Sequence, residues 1–594
     1  MFESRSGTAG LRYRPSVGIP VSEYGNRRTA SASCMISGIR KSDRAVRLLH
    51  DCRVPMRDGI TLSADVYLPI GAQGLPTIVQ WTPYESTRER FVSWGVWFAQ
   101  RGYAAVVVDV RGRYESGGKF TAWTHDGQDA YDTVTWAAGE QWSNGRIGTW
   151  GRSYGGLVQW ELARLRHPNV QCLAPQVIHD DYFWDGYWTG GAFQLALTLG
   201  AAALWSSAIA LITGPSARHF VLNDRIFGHL PLIELDEVTI GRKVDYWRLW
   251  WEHQTNDDYW QQFRTRPDLV DVPIFQQGGW FDPYSGSHLR SFGAIGNRVP
   301  NRVMIGPWSH EEEIENFSGD IDLSPALTVI REHELVFYDR FLKDEANGWD
   351  ERPPADLYVL GANEWRSEHE WPLARSESTA FHLREGASLS LDAPGPGETA
   401  DRYDYDPTDP VPTIGGVNSV LTMTQGAETP IRPGPIDQRI LEQRRDVLVY
   451  TSEPLDRDFE IIGPVEMMLY AASSALDTDF IVRLCDVYPD GRSIFLTEGI
   501  IRARYRGSLE GESVELLEPG EVAEYRIRCY PMANVFQRGH CIRVDITSSS
   551  FPRFSRNLNT GEDIGTGTRM QVAHQTVLHT SVYPSRIELP VIPS

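Results

Sequence analysis

Short apolar strands alternate with helices between His50 and Asp180, and this alternation restricts the fold more than any other feature. The run AAVVVDV is almost wholly apolar, which is typical of a strand buried on both faces of a parallel sheet. The segment FVSWGVWFAQRGY has helical spacing and ends at Gly102, a helix stop signal. This alternation predicts an α/β fold built on a parallel sheet.

The remaining segments differ in composition and periodicity, and these differences indicate the domain organisation. Residues 1–44 are rich in Ser, Gly and Arg and lack periodicity, so we expect a disordered arm. The α/β domain is predicted over 45–180 and 266–350, with a helical cap inserted at 181–265. From 351 to 594, short strands separated by Pro/Gly turns predict an all-β sandwich or jelly roll.

Composition excludes several classes of partner. The 594 residues carry a net charge of −21, which argues against a nucleic acid or an anionic membrane as the partner. Six cysteines are scattered without a C-x-x-C pair, so neither a zinc site nor a disulfide framework is indicated. Scattered thiols fit a reducing compartment, and we expect a cytoplasmic protein.

One uncharged stretch, residues 190–214, is long enough to span a bilayer. Polar residues and glycines interrupt it, and no basic flank sets an orientation. It also lies between the motif at residues 148–155 and the strands predicted near residues 273–309, and we expect all of them to belong to one sheet. We therefore predict a buried helix of the cap and no membrane partner.

The segment GRIGTWGRSYGGLVQW places Ser153 in a G-x-S-x-G motif between a strand and a helix. This context is the nucleophile elbow, in which the serine occupies a strained turn. Gly151 and Gly155 would let strand and helix approach closely, and the N–H of Tyr154 would stabilise an oxyanion.

A serine hydroxyl needs a base to take its proton, and the base needs a group that orients it. Asp282 follows the predicted strand VPIFQQGGWF, and His310 follows the predicted strand RVMIGPWS. The order Ser, Asp, His with each residue after a strand matches a hydrolase triad. The predicted catalytic residues are therefore Ser153, Asp282 and His310.

Several longer motifs resemble those of the CocE/NonD hydrolases, which include bacterial cocaine esterases and are related to X-prolyl dipeptidyl aminopeptidases. The motifs are VPMRDGITLSADVYLP, TPYES, VVVDVRGRYESGGKF, DGQDAYDTVTWAAGEQWSNGRIGTWGRSYGG, GGWFDPYSGS and GPWSH. The resemblance covers roughly residues 48–594. It implies an α/β-hydrolase domain with a helical cap, followed by a jelly-roll-like domain. It also implies the same triad, no metal or other cofactor, and an oxyanion hole formed by the Tyr84 hydroxyl and the Tyr154 N–H.

Other residues near these motifs have two interpretations. Trp188 and Phe281 are candidates for an acyl pocket, and the alternative is that they belong to the core. Asp109 and the Arg111–Arg113 segment end a strand near the site, where we expect structural ion pairing.

The leading functional hypothesis is a serine esterase or acylase that acts on a small ester or amide. X-Pro dipeptidyl-peptidase and glutaryl-cephalosporin-type acylase activities remain alternatives, and a pseudoenzyme that only binds is the non-enzymatic one. The resemblance to α-amino-acid ester hydrolases implies acidic residues two and three places after the catalytic Asp. Tyr284 and Ser285 stand there instead. The resemblance also implies a possible homo-oligomer.

Overall fold

A mixed sheet of ten strands is the frame of the first half of the chain. The computed structural model describes residues 45–206, 222–310, 317–322, 330–419, 431–508 and 510–593. The predicted arm over 1–44 lies outside these ranges. The strands of this half are β1 Val46–Pro55, β2 Thr61–Pro69, β3 Leu75–Thr82, β4 Ala104–Asp109, β5 Ser143–Arg152, β6 Val170–Gln176, β7 Trp188–Thr189, β8 Ala192–Phe193, β9 Ile274–Phe281, β10 Asn301–Ser309, β11 Phe317–Ser318, β12 Ile321–Asp322, β13 Ala355–Val359 and β14 Glu364–Glu368.

The helices lie on both faces of this sheet, in the cap and in one short turn of the second half. They are α1 Glu89–Gln100, α2 Asp126–Gly139, α3 Tyr154–Leu165, α4 Leu195–Trp205, α5 Asp224–Phe227, α6 Leu235–Ile240, α7 Asp245–Glu252, α8 Asp258–Gln261, α9 Ser285–Ile295, α10 Ile330–Leu342 and α11 Arg439–Glu442. A π-helical segment, Tyr182–Tyr187, follows β6. Short 3-10 turns occur at Leu232–Glu234, Pro267–Leu269 and Ala503–Tyr505.

The order of strands in the sheet is β1-β2-β4-β3-β5-β6-β9-β10-β13-β14. The seven strands from β4 to β13 run parallel, whereas β1, β2 and β14 pair antiparallel at the edges. Parallel strands end at the same edge of a sheet, and ligands of α/β folds bind there. The loops after β3, β5, β9 and β10 therefore meet at one edge, and they carry four of the predicted site residues, Tyr84, Ser153, Asp282 and His310.

The end of this sheet differs from the boundary predicted at residue 350. Strand β13 pairs in parallel with β10, and β14 pairs with β13. The second sheet system begins only at Glu377. Alternation of residues shows that a segment is a strand but not which sheet it joins, because pairing is a long-range contact.

The cap contains α4 to α8 around an aromatic core. Trp247, Trp250, Trp251 and Trp260 are all buried in it. Helix α4 forms most of the described part of the uncharged stretch, residues 190–206, and is mostly buried, as predicted, while residues 207–214 lie outside the described ranges. In the part of the chain that the structure describes, no helix combines the length and apolar character needed to cross a bilayer.

The second half is built from thirteen strands, which pair antiparallel except for one parallel pair. They are β15 Glu377–Arg384, β16 Ser388–Ser390, β17 Asp401–Tyr405, β18 Leu448–Thr451, β19 Phe459–Gly463, β20 Glu466–Ser473, β21 Asp479–Val487, β22 Ser493–Arg502, β23 Ala523–Arg528, β24 Met532–Phe536, β25 Cys541–Thr547, β26 Ala573–Leu578 and β27 Arg586–Val591. The predicted class, an α/β domain followed by an all-β domain, is confirmed.

Candidate active site

Ser153 occupies a strained turn between β5 and α3. Its φ of 52° and ψ of −120° lie outside the regions that L-residues favour. Its own N–H donates to the carbonyl of Gln176, 3.0 Å away, at the end of β6. Its carbonyl accepts from the N–H groups of Gly156 and Leu157 in the first turn of α3. The main chain of the neighbouring strand and helix therefore offsets the strain.

Two glycines make this turn possible. Gly151 has a φ of 151°, and a Cβ atom on it would lie 2.9 Å from the main chain of Gly155. A Cβ atom on Gly155 would lie 2.9 Å from the carbonyl oxygen of Trp81 in β3. Helix α3 therefore approaches β3 and β5 more closely than any larger residue allows.

Asp282 and His310 form a close pair at the ends of β9 and β10. Nδ1 of His310 lies 2.6 Å from Oδ2 of Asp282. The other carboxylate oxygen, Oδ1, accepts the N–H of Tyr284 at 2.8 Å. The Asp282 side chain is fully buried, so these contacts hold it in one orientation.

The main chain of His310 is tied to the elbow. Nη2 of Arg152, the residue before Ser153, donates to the carbonyl oxygen of His310. On the other side, the ring of Tyr284 packs edge-on against the imidazole, with ring centroids 5.6 Å apart. Neither contact is predictable from the sequence, because each joins strand ends that are distant in sequence.

Tyr84 is half-buried in the loop after β3. Its N–H donates to Oγ1 of Thr82 at 3.0 Å. Its hydroxyl acts electrostatically on both Tyr154 and Tyr284, whose pKa values are raised well above the ordinary range, chiefly by burial. The predicted oxyanion residue is therefore close enough to the elbow and to the Asp282 loop to act electrostatically on a tyrosine of each.

Tyr154 is the first residue of α3, where the N–H groups have no acceptor within the helix. Its side chain points away into a buried aromatic cluster, 4.9 Å from the ring of Trp123 and 5.6 Å from that of Trp205. Its hydroxyl donates to Oδ2 of Asp126 at 2.8 Å. This anchoring fixes the start of α3, the helix that follows Ser153.

Among the residues that the structure describes, the ion pairing expected beyond β4 is found at Arg111 and not at Asp109 or Arg113. Arg111 pairs with Asp129 and Asp58. Arg113 instead donates to main-chain carbonyl oxygens, among them that of Trp205 in the cap. Asp109 accepts from Ser86. The pattern could not distinguish these cases, since the partners come from distant loops.

The two residues proposed for an acyl pocket are core residues in this structure. Trp188 and Phe281 are each 0% exposed. Trp188 packs against Phe193 of the cap at 4.9 Å, and Phe281 packs against Phe495 of the second domain at 6.5 Å. Because neither presents surface to a ligand, the burial favours the alternative interpretation.

A cavity of about 930 Å³ lies between α9, the π-helical segment and the second domain. Asp185, Arg290, Trp371 and Tyr530 are among its lining residues. The predicted triad residues are not. This cavity is therefore distinct from the candidate catalytic centre.

One group in the described part of the chain has the spacing of a metal site. The ligand atoms of Glu442, Cys485 and Asp545 lie within 4.8 Å of one another in the second domain. Arg543 donates to Glu442, and Arg483 lowers the pKa of Asp545 against the dominant effect of burial. Because burial raises the pKa of Asp545 to about 7 and Glu442 is already paired with Arg543, we assign no metal to the group.

The sequence matches two family models. Residues 58–312 match the X-Pro dipeptidyl-peptidase S15 family, and residues 347–588 match the X-Pro dipeptidyl-peptidase C-terminal non-catalytic domain. Together with the fold, these matches define the class of protein: the chain is an enzyme, a serine hydrolase of the α/β type.

Individual relatives narrow the class. The chain is 35% identical to a cocaine esterase from Rhodococcus sp. (strain MB1 Bresler), over 91% of this chain and 97% of that protein. An aminopeptidase from the marine sediment archaeon Thaumarchaeota archaeon superposes with a TM-score of 0.79 at 25% identity, covering 95% of this chain and 99% of its own. A CocE/NonD family hydrolase from Staphylococcus aureus has the same fold, with a TM-score of 0.69 at 18% identity and coverage of 92% and 94%. The chain belongs to the CocE/NonD family.

Proposed function

We propose that this enzyme hydrolyses carboxylic esters of small molecules through an acyl-enzyme on Ser153. The observation that carries the proposal is the 2.6 Å pair of His310 and Asp282 at the strand ends next to the elbow. A serine at a strained turn with a carboxylate-oriented imidazole beside it is the arrangement that nucleophilic acyl transfer needs.

In the first step, His310 takes the hydroxyl proton of Ser153 while Oγ attacks the ester carbonyl. Because Nδ1 of His310 faces Asp282, Nε2 is the ring nitrogen left for the serine. Asp282 holds this tautomer and stabilises the imidazolium as it forms.

The negative charge that develops on the substrate oxygen requires donors. We assign this role to the Tyr84 hydroxyl and the Tyr154 N–H. A donor of this kind stabilises the transition state by about 3 kcal/mol.

The leaving alcohol then takes the proton from Nε2, and the acyl group stays on Ser153 as an ester. Water repeats the sequence: His310 takes its proton, the hydroxide oxygen attacks the acyl carbon, and the acid leaves as Oγ is reprotonated. The same residues therefore serve both halves of the reaction.

Peptidase activity on X-Pro substrates is the second candidate, because the S15 family model matches the catalytic half. A solved relative at 25% identity is an α-amino acid ester hydrolase, which points to substrates with a free amine. Tyr284 and Ser285 supply no carboxylate for such an amine directly after Asp282. This favours the ester hypothesis, and glutaryl-cephalosporin-type acylase activity is a third option for the same centre.

A fluorophosphonate probe tests the nucleophile. We expect wild-type enzyme and Ser291→Ala to be labelled and Ser153→Ala to stay unlabelled. Ser291 is the matched control, because it is a buried serine in α9 that bonds Gln276 at 2.6 Å. Folded wild-type protein that resists the probe would remove the hydrolase proposal.

A substrate panel then separates the candidates. We expect kcat/KM to be highest for p-nitrophenyl and aryl esters of small acids and lower for matched amides and X-Pro amides. A preference for X-Pro amides would replace the ester proposal with the peptidase one.

We also propose that the enzyme works in a reducing compartment, the cytoplasm, as a homo-oligomer. Five cysteines within the described ranges are free thiols, which supports the first part. Light scattering during size-exclusion chromatography tests the second part, and a mass of 67.1 kDa would contradict it.

A further inference from the structure

The loop that carries Tyr84 is held at two points, one on each side of this residue. Nε of Arg113 donates to the carbonyl oxygen of Pro83 at 3.0 Å. The N–H of Ser86 donates to Oδ1 of Asp109 at 2.8 Å. Between them, Glu85 has a φ of 79°, a left-handed conformation that is costly for this residue type. Both hydrogen bonds therefore support a strained conformation of the loop.

The second anchor contains an unusual contact. Oγ of Ser86 lies 2.9 Å from Oδ2 of Asp65 and 3.1 Å from Oδ2 of Asp109. The three residues are 3%, 1% and 2% exposed, respectively. One buried hydroxyl therefore bridges two buried carboxyl groups.

The Ser86 hydroxyl has too few hydrogens to donate to both carboxyl groups. A serine hydroxyl has one hydrogen and donates to one acceptor at a time. The second short contact is a hydrogen bond only if the other carboxyl group carries a proton and donates to Oγ. With both groups ionised, a carboxylate oxygen would face the lone pairs of the hydroxyl in a buried site, which is strongly unfavourable.

The surroundings place this proton on Asp109. Oδ1 of Asp65 accepts the N–H of Asp51 at 3.1 Å and lies 2.6 Å from Nδ1 of His50. Asp65 is therefore surrounded by donors. Asp65 and Glu85 both act electrostatically to raise the pKa of Asp109, against the hydrogen bonds from Ser86, which lower it. Burial is the main effect on Asp109, and it raises the pKa of this carboxyl to about 7.

We propose that protonated Asp109 and the Ser86 hydroxyl form a proton-dependent anchor that positions the Tyr84 loop for the transition state. Ser86 donates to Asp65, and Asp109 donates to Ser86. Both Ser86 and Asp109 are positioning residues, since they act through Tyr84. This inference rests on the proposed role of Tyr84 as an oxyanion donor.

The substitution Asp109→Asn mimics the protonated acid. The amide oxygen can accept from the Ser86 N–H, and the amide nitrogen can donate to Oγ. We expect kcat to stay within about threefold of wild type, since one hydrogen bond of similar geometry replaces another. A loss of kcat above tenfold, or failure to fold, would show that the ionised form is required and would overturn the proposal.

Dependence on pH separates positioning from a merely structural role. When Asp109 ionises, two carboxylates compete for the single hydrogen of the Ser86 hydroxyl, and the loop is released. We therefore expect the wild-type kcat to decline on the alkaline side of its profile. The Asp109→Asn variant should lack this decline, and an unchanged alkaline limb would contradict the inference.

A double-mutant cycle tests whether Ser86 acts through Tyr84. We expect Ser86→Ala to lower kcat about tenfold with little change in KM, because an oxyanion donor acts in the transition state. In a Tyr84→Phe background the same change should cost less than about twofold. Equal losses in both backgrounds would mean that Ser86 supports the fold alone.

Ser291→Ala is the matched control, because Ser291 is a buried serine of α9 whose Oγ donates to Oε1 of Gln276 at 2.6 Å, away from the anchor. We expect it to lower Tm and leave kcat unchanged. Labelling of wild type by the fluorophosphonate probe, with a lower kcat for Tyr84→Phe, establishes the proposed function separately. If both hold while Asp109→Asn and the cycle fail, only the anchor is wrong.

Discussion

Arg152 donates a hydrogen bond from Nη2 to the carbonyl oxygen of His310, so the residue before the proposed nucleophile holds the main chain of the proposed base. These residues end β5 and begin the loop after β10, strands that are not neighbours in the sheet. The bond therefore spans the two strands between them and sets the position of the imidazole relative to the elbow.

Loss of this bond should lower the rate rather than the affinity. We expect Arg152→Met to reduce kcat by about tenfold to a hundredfold with little change in KM, because small displacements of a base weaken catalysis steeply. The control is Arg146→Met on the same strand. Arg146 lies near the other end of β5, and its Nη2 donates to the carbonyl oxygen of Phe341 in α10. Steady-state kinetics on one ester check both variants, and equal effects would refute a specific role of Arg152.

Neutralising Asp282 should lower kcat far more than Arg152→Met does. With Asp282→Asn, Nδ1 of His310 faces an amide and the tautomer is no longer fixed, so we expect kcat to fall on the order of 10⁴. The matched control is Asp486→Asn. In the wild type, the Asp486 carboxylate lies 2.8 Å from Nδ1 of His540 in the second domain. That variant should lower Tm and keep kcat. Activity of Asp282→Asn within tenfold of wild type would exclude the proposed triad.

Asp126, beneath Tyr154, should make the stability depend on pH. Burial raises the pKa of its carboxyl from 3.8 to about 7. Since the folded chain holds this proton more tightly than the unfolded one, the contribution to stability is present below pH 3.8 and is lost as the pH rises to about 7. We expect Asp126→Asn to gain about 1–4 kcal/mol of unfolding free energy relative to wild type between pH 4 and pH 8.

The control for this prediction lies in the same helix. Burial acts to raise the pKa of Asp132, but hydrogen bonds from Arg57 outweigh it and lower the pKa. Asp132→Asn should therefore lose stability relative to wild type as the pH rises. Urea unfolding at several pH values measures both variants, and a shift of the same sign in both would contradict the assignment.

Gly155→Ala tests the close approach of α3 to the sheet. The added Cβ atom would lie 2.9 Å from the carbonyl oxygen of Trp81, so the helix must move. We expect a loss of about 1–3 kcal/mol of unfolding free energy, together with a lower kcat. Gly139→Ala at the end of α2 is the control, because the new Cβ atom has no neighbour within 4 Å. Thermal unfolding and kinetics of the two variants decide the point.

The sequence alone predicted the order of elements and the identity of the proposed triad. Ser153 was identifiable because the elbow needs glycines at defined positions between a strand and a helix, which is a local requirement. Asp282 and His310 were identifiable because each follows a predicted strand, and parallel strands end at one edge of the sheet. These inferences use hydrophobic periodicity and turn chemistry, which neighbouring residues determine.

Only the tertiary structure decided which distant groups meet. Strands β13 and β14 are part of the first sheet, and Trp188 and Phe281 are core residues. The ring of Tyr284 packs against that of His310. The same holds for Ser86 in the loop after β3, whose hydroxyl lies between Asp65 of β2 and Asp109 of β4. The physical reason is that strand pairing and side-chain packing depend on contacts between residues far apart in sequence, and no local pattern encodes them.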